Sequence, residues 1–305
     1  MSPIRNTRGA ESACYINPLA LSKIAQIDLI SRTVVEGFVH GLHRSPHLGY
    51  STDFAEHRAY NPGDDIRKID WKLFGRSDRL YVKKYRGETN TNCYIFMDVS
   101  RSMGYGSGAV TKLEYGRYLA ASLAYLMTLQ VDAVGFVTID EKVCDFIPPR
   151  HRRGHLPMIL RRIERLELGG GTGLLRPLSD LAQSISRRGL VVLISDLYDD
   201  PADVVKGLRH FRFTGQDVIL FHLMDDYELE FPFEAPAQFT DLETNQEIHV
   251  VPQALRAEYL KALQEHLQDY KKECSSDRID YALIRTSQPL DFALYSYLLR
   301  RSKHK

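Results

Sequence analysis

The sequence has no Cys-x-x-Cys pair; its four cysteines, Cys14, Cys93, Cys144 and Cys274, stand far apart. That excludes a zinc ribbon or a dithiol redox centre and reads as reduced thiols in a cytosolic protein. Long apolar runs are also missing. The longest stretch without a charge, residues 118–131, has 14 residues, short of the roughly 20 that a membrane-spanning helix needs. Arg5, Arg8 and Glu11 precede only a short apolar stretch, broken at Asn17-Pro18, which fits neither a signal peptide nor an anchor. Charge of one sign is not in excess. With 40 Lys and Arg against 39 Asp and Glu, the net charge of +1 argues against a dedicated nucleic-acid binder. Low-complexity tracts are absent as well, so most of the chain is expected to be ordered.

What remains is an ordinary globular balance. The 305 residues are 44% hydrophobic and 26% charged, and at about 150 residues per domain that length suggests two domains. Residues 1–16 read as a loose tail. Asn17-Pro18 is suited to start a helix, and Leu21, Ile24, Ile27, Val34, Phe38 and Leu42 recur at helical spacing, as in one amphipathic helix. Residues 51–90 then hold seven acids and nine Lys or Arg. With a type II turn at Asn61-Pro62-Gly63-Asp64, this predicts a small charge-rich, strand-containing subdomain, so that 17–90 form an N-terminal unit ahead of a larger domain at 91–302.

From Asn92 onward strands and helices alternate. The runs 93–97, 133–137 and 190–194 are continuously apolar, as in strands buried on both faces, and 143–147 reads as a neighbouring strand. Thr111 and Glu114 form a capping box for a helix that is apolar all round and therefore buried. A strand over 217–224, a hairpin over 238–251, a helix over 252–272, a strand over 279–284 and a terminal helix complete the pattern. The rhythm predicts an α/β fold, a mostly parallel sheet wrapped by helices.

Ligands of such sheets bind beyond the carboxyl ends of the strands. Asp98, Ser100 and Ser102 follow one strand and Asp196 follows another, while Thr172 lies in the loop Gly169-Gly170-Gly171-Thr172-Gly173. Asp98 reads as a solvent-facing loop residue. All five side chains offer oxygen only, which suits Mg²⁺ or Mn²⁺ rather than a soft metal.

Asp98-x-Ser100-x-Ser102 with Thr172 and Asp196 resembles the metal-ion-dependent adhesion site of von Willebrand factor A domains. The resemblance implies a Rossmann-like fold, with Ser100, Ser102 and Thr172 touching the metal and Asp98 and Asp196 acting mainly through water. Upstream, the stretch from Arg58 through Asn61-Pro62-Gly63-Asp64-Asp65 to Trp71 resembles the signature of bacterial domain-of-unknown-function family fifty-eight. So does the terminal stretch from Asp280-Tyr281-Ala282-Leu283 through Ser287, Pro289 and Leu290. That resemblance implies an adaptor for a MoxR-type AAA+ ATPase in assembly or chaperone work. Residues 58–71 read as structural, a charge-laced segment with no chemistry.

A metal held by hydroxyls keeps a position open for a partner's Asp or Glu, so a metal-dependent interaction module leads. A metal-dependent phosphohydrolase is the rival, and a scaffold with an empty site the third possibility. The rival needs a base or nucleophile near the metal, and no His or Lys follows a sheet strand beside Asp98 or Asp196. Asp199 and Asp200 are better read as the start of the next helix. His151 and His155 lack further ligands in sequence, and Gly104-x-Gly106 begins too late after its strand for a dinucleotide fingerprint. Arg150, Arg152, Arg153, Arg161, Arg162 and Arg165 form a basic face, read as a solvated surface able to receive an acidic partner.

Overall fold

The computed structural model describes residues 18–21, 26–43, 56–59, 81–84, 91–171, 173–185, 187–242 and 246–303. The chain divides into two units, Met1–Phe38 with Thr91–Lys305, and Val39–Asn90. In the smaller unit, β1 (Glu56–Ala59) pairs antiparallel with β2 (Tyr81–Lys84), Arg58 standing opposite Val82. Residues 60–71 of the charge-rich segment, and the tail 1–16, lie outside the described residues.

The expected single N-terminal helix is instead two, α1 (Pro18–Leu21) and α2 (Ile27–His43). Gln26 is not helical, and its carbonyl accepts from the Ile30 amide at 3.1 Å, opening a new helix. Ile27, Ile30, Val34 and Phe38 then bury one face of α2, the stripe that spacing of three and four dictates. The division between the units runs through this helix.

In the larger unit the order is β3 (Asn92–Asp98), a 3-10 turn (Arg101–Gly104), α3 (Lys112–Leu129), β4 (Ala133–Ile139), β5 (Val143–Arg150), α4 (His155–Glu164), α5 (Leu175–Ser184) and β6 (Gly189–Ser195). There follow α6 (Pro201–Phe213), β7 (Asp217–Met224), α7 (Asp226–Glu230), β8 (Ala237–Thr240), β9 (Glu247–Val250), α8 (Pro252–Ser276), β10 (Asp280–Arg285) and α9 (Leu290–Lys303). Six strands form the central sheet in the order β10-β7-β6-β3-β4-β5, and β8 and β9 form a separate hairpin. Every central pair is parallel except β4 with β5.

The sequence pattern accounts for the difference between strands. In β3 and β6 every residue but the first is buried, because helices cover both faces. The antiparallel edge strand β5 alternates half-buried and exposed residues along its whole length. The expected capping box at Thr111 and Glu114 is present and starts α3, whose Leu119, Leu123 and Met127 are fully buried. Among the described residues, no helix is long and apolar enough to cross a membrane.

The connections fix where a ligand can sit. The chain leaves β3 for β4 and β5 on one side, then returns to place β6 on the other side of β3. The carboxyl ends of β3 and β6 therefore flank the point at which the winding reverses, and a crevice opens there.

Candidate functional site

Asp98 ends β3, and it is fully buried rather than solvent-facing. Its Oδ1 accepts from the Ser100 amide at 2.8 Å and its Oδ2 from the Ser195 hydroxyl at 2.5 Å. Ser195 in turn accepts from the Leu197 amide at 3.0 Å, so the last residues of β3 and β6 are tied together. Burial, and the carboxylate of Asp196 next to it, raise the Asp98 pKa to about 7. The Ser100 and Ser102 hydroxyl oxygens lie 3.0 Å apart. Three of the expected residues thus converge within the first turn after β3.

The glycine loop reaches the same place. The Gly169 amide donates to the Val99 carbonyl at 2.6 Å, and the Arg101 amide donates to the Gly170 carbonyl at 3.1 Å. Asp140, just after β4, accepts from the Gly170 amide at 3.1 Å. Burial alone would raise the Asp140 pKa, but the Gly170 and Lys142 amides donating to it hold it below the usual value. A Cβ on Gly169 would come within 2.5 Å of an Asp140 oxygen, which explains a glycine there. Thr172 itself lies outside the described residues.

Asp196 follows β6 directly and is also fully buried. The next residue, Leu197, holds φ at 53°, a left-handed conformation costing a non-glycine residue about 1–2 kcal/mol. Strain of this kind collects where a chain is aimed for function. The Asp196 Oδ2 accepts a charged hydrogen bond from Lys112 Nζ at 2.7 Å. Its Oδ1 is buried and has no hydrogen-bond partner among the described residues.

The search for a lysine following a sheet strand missed Lys112, which reaches Asp196 from elsewhere. It comes from the first turn of α3 rather than from a strand end. Its side chain is fully buried, and its ammonium bridges Asp196 and, at 2.6 Å, Glu228 Oε1. Burial would lower its pKa, yet Asp196 and then Glu228 hold it above the ordinary lysine value. The two carboxylates hold it as a cation between them. Its ammonium also lies 4.8 Å from the Tyr198 ring centre and 5.7 Å from that of Tyr105, within cation–π reach.

Glu228 is delivered by β7. Asp225 caps α7, and Glu228 closes a capping box by accepting from the Asp225 amide at 2.8 Å. The Tyr198 hydroxyl donates to the same Glu228 oxygen that binds Lys112. Two sequence signals pointed this way. A lysine in a helix's first turn opposes the macrodipole and needs an acidic partner, and Asp225-x-x-Glu228 straight after a buried strand is a second capping box.

Several weaker sequence candidates fall elsewhere. Asp200 caps α6, and Asp199 accepts from the Leu174 amide at 2.7 Å, so both serve helix starts. His155 is buried against the Val134 carbonyl at 2.7 Å, and Arg162 pairs with Asp145 at 2.5 Å. Among the described residues, no group of three or more His, Cys, Asp or Glu could hold a metal. A site built on hydroxyls lies outside that pattern. The oxygens present fit a hard divalent cation: two converging hydroxyls, a carboxylate oxygen without a donor among the described residues, and Asp98 held in place by Ser195 and Ser100.

This geometry can be set beside known proteins. An uncharacterized protein of Mycobacterium tuberculosis, Rv1480, is 24% identical over 258 residues, covering 83% of this chain and 80% of its own. Among solved structures, the chain is similar to BatB from Bacteroides thetaiotaomicron, with a TM-score of 0.46 and 15% identity over 70% of this chain and 99% of that one. It is also similar to the SpRpn10 VWA domain, with a TM-score of 0.41 and 14% identity over 67% of this chain and 93% of that one. The family described as "Protein of unknown function DUF58" matches residues 56–269, well over half of the sequence, and the chain belongs to that family.

Proposed function

We propose that the chain is a protein-interaction module whose docking point is the crevice at the ends of β3 and β6. The observations that carry this reading are the buried Asp196 Oδ1, without a donor among the described residues, and the paired Ser100 and Ser102 hydroxyls that follow the neighbouring strand. A buried carboxylate oxygen without a partner is costly, and a divalent cation would offset it. Ser100, Ser102 and Asp196 would hold Mg²⁺ or Mn²⁺, joined by Thr172 as the adhesion-site resemblance implies, while Asp98 orients Ser100. Bound there, the ion would supply an open coordination position to a partner's Asp or Glu. The partner we propose, on the family resemblance, is a MoxR-type AAA+ ATPase.

The reading includes no catalysis. The lysine nearest the site is locked between two carboxylates. His222, opposite Ser195 in the sheet, is buried with its pKa lowered to about 3 by burial and then by His266, so it is neutral and a poor base. Hydrolysis of phosphate esters by pure protein, lost in Asp196→Ala, would reverse this.

A specific observation favours a second reading. Lys112 already places one positive charge on Asp196, so the crevice can act as a docking site with a built-in cation and no metal. Capture of the ATPase on immobilised wild type and Ser100→Ala, each with Mg²⁺ or chelator, separates the two. The metal reading expects capture by wild type with Mg²⁺ alone. Equal capture by wild type with and without chelator would leave the lysine reading standing.

A further inference from the structure

A cavity of about 490 Å³ opens beside Ser102 and Lys112, adjoining the crevice assigned to the metal. That volume falls in the range of about 300–1,000 Å³ usual for side-chain and small-ligand pockets. Its wall is aromatic. Phe231 packs on Tyr259 with ring centres 4.7 Å apart and meets Phe233 edge-on at 5.1 Å. Phe233 meets Phe239 of β8 at 5.1 Å and Tyr227 at 5.6 Å. These contacts join α7, β8 and α8 into one preformed surface. Phe231 holds φ at 45° just after α7, a strained conformation that turns its ring into this wall.

The polar groups within reach are mostly committed to one another. The Tyr198 hydroxyl donates to Glu228 Oε1, the Tyr259 hydroxyl donates to the Glu228 carbonyl, and the Lys112 ammonium is met by Asp196 and Glu228. An occupant therefore meets ring faces rather than free hydroxyls. Tyr198, Tyr227 and Leu242 are about half exposed at the cavity, so those faces are accessible. Among the described lining residues three carry carboxylates, Asp199, Glu228 and Asp241, against the single ammonium of Lys112. Ring faces with an acidic surplus are complementary to a cation carried on an apolar stem.

We infer that this cavity takes an arginine side chain from a protein partner. A guanidinium is planar, stacks on aromatic rings and is more weakly hydrated than an ammonium, so it loses less on entering an aromatic cavity. Its stem lies along the Phe231–Tyr259 surface, and its donors face the acidic side of the cavity. The inference shares with the interaction-module reading that the occupant belongs to a protein, and the two places adjoin at Ser102 and Lys112. No metal takes part, so the cavity fills in the presence of a chelator.

The test uses the full chain in EDTA and the peptide acetyl-Gly-Arg-Gly-amide, with binding read by saturation-transfer and titration NMR. The same peptide with citrulline, isosteric but neutral, or with leucine in place of arginine provides the comparison. We expect the arginine peptide to bind about tenfold tighter than the citrulline peptide. Tyr227→Leu and Asp241→Asn should each weaken it several-fold, since both residues line the cavity and leave the Lys112 bridge untouched. Equal binding of arginine and citrulline peptides, tighter binding of the leucine peptide, or tighter binding of tetramethylammonium than of the arginine peptide would each overturn the proposal. So would no arginine-peptide binding at all. Because EDTA is present throughout, failure of metal-dependent ATPase capture leaves these outcomes unchanged, and the reverse also holds.

Discussion

Replacing Lys112 by methionine keeps most of the apolar stem and removes the ammonium, with its charge and its hydrogen bonds to Asp196 and Glu228. In the wild type the ammonium is completely buried and lies 2.7 Å from Asp196 Oδ2 and 2.6 Å from Glu228 Oε1. Removing one member of a buried ion pair strands the other and costs about 3–5 kcal/mol. The two carboxylates are not equally exposed to that loss. Glu228 keeps the Tyr198 hydroxyl and the Asp225 amide as donors, and its side chain is 10% exposed. Asp196 is left fully buried with no side-chain donor among the described residues, so most of the cost falls there. Equilibrium unfolding in urea, followed by far-UV circular dichroism without divalent ions, should show Lys112→Met less stable by about 3–5 kcal/mol. Adding Asp196→Asn to that variant should recover at least about 1 kcal/mol, because the amide carries no charge to strand. If Lys112→Met stays within about 0.5 kcal/mol of wild type, as surface substitutions do, the ammonium does not sit between these carboxylates.

Other perturbations test neighbouring parts of the fold. The folded-state pKa of His222 is lowered to about 3, against about 6.5 in the unfolded chain. Between those values the unfolded state binds more protons, so the His222 contribution is complete above about pH 6.5 and declines as pH falls, by up to about 1.4 kcal/mol per unit. His222→Leu should flatten that slope between pH 7 and 5 in urea titrations, and an unchanged slope would refute the buried neutral ring. Gly169→Ala places a Cβ 2.5 Å from Asp140 Oδ2, and moving the loop away should cost about 1–3 kcal/mol. A thermal midpoint equal to wild type would show that the loop does not pack so closely on Asp140.

Much of the architecture was legible because its signals are local. The apolar runs at 93–97 and 190–194 became β3 and β6, and the Thr111–Glu114 box opened α3 where expected. Asp98, Ser100, Ser102 and Asp196 follow from those strand ends, since a parallel sheet puts all its carboxyl ends on one edge. The Lys112–Glu228 bridge is different. Its partners are 116 residues apart, and they meet because β7 pairs with β6 and β6 with β3. Strand order of that kind is not encoded in any window of sequence. The aromatic wall was hidden for the same reason, as α7, β8 and α8 each supply rings that mean little alone. The N-terminal helix failed in another way. Its apolar spacing runs on through Gln26, but periodicity reports only which face is buried and does not register a local break.

Lys112 and a divalent ion make opposite demands on Asp196, and that opposition yields the sharpest comparison between the two readings of the docking site. Two unit charges of like sign about 4 Å apart repel by about 4 kcal/mol at an effective dielectric constant of 20. A dication near Asp196 therefore meets a substantial opposing charge while Lys112 stays in place. If the ion uses Asp196, neutralising Lys112 should strengthen its binding, by about tenfold or more. Lys112→Gln is the better variant here, since its amide can still donate to Asp196 or Glu228 and limits the structural loss. Mn²⁺ affinity, read from the free-ion spectrum in electron paramagnetic resonance, should rise in Lys112→Gln and be lost in Asp196→Asn. Wild-type affinity in both variants would mean that the ion binds elsewhere. Loss of affinity in folded Lys112→Gln would show that the ammonium holds Asp196 in its binding position, making lysine and metal parts of one site instead of rivals for it.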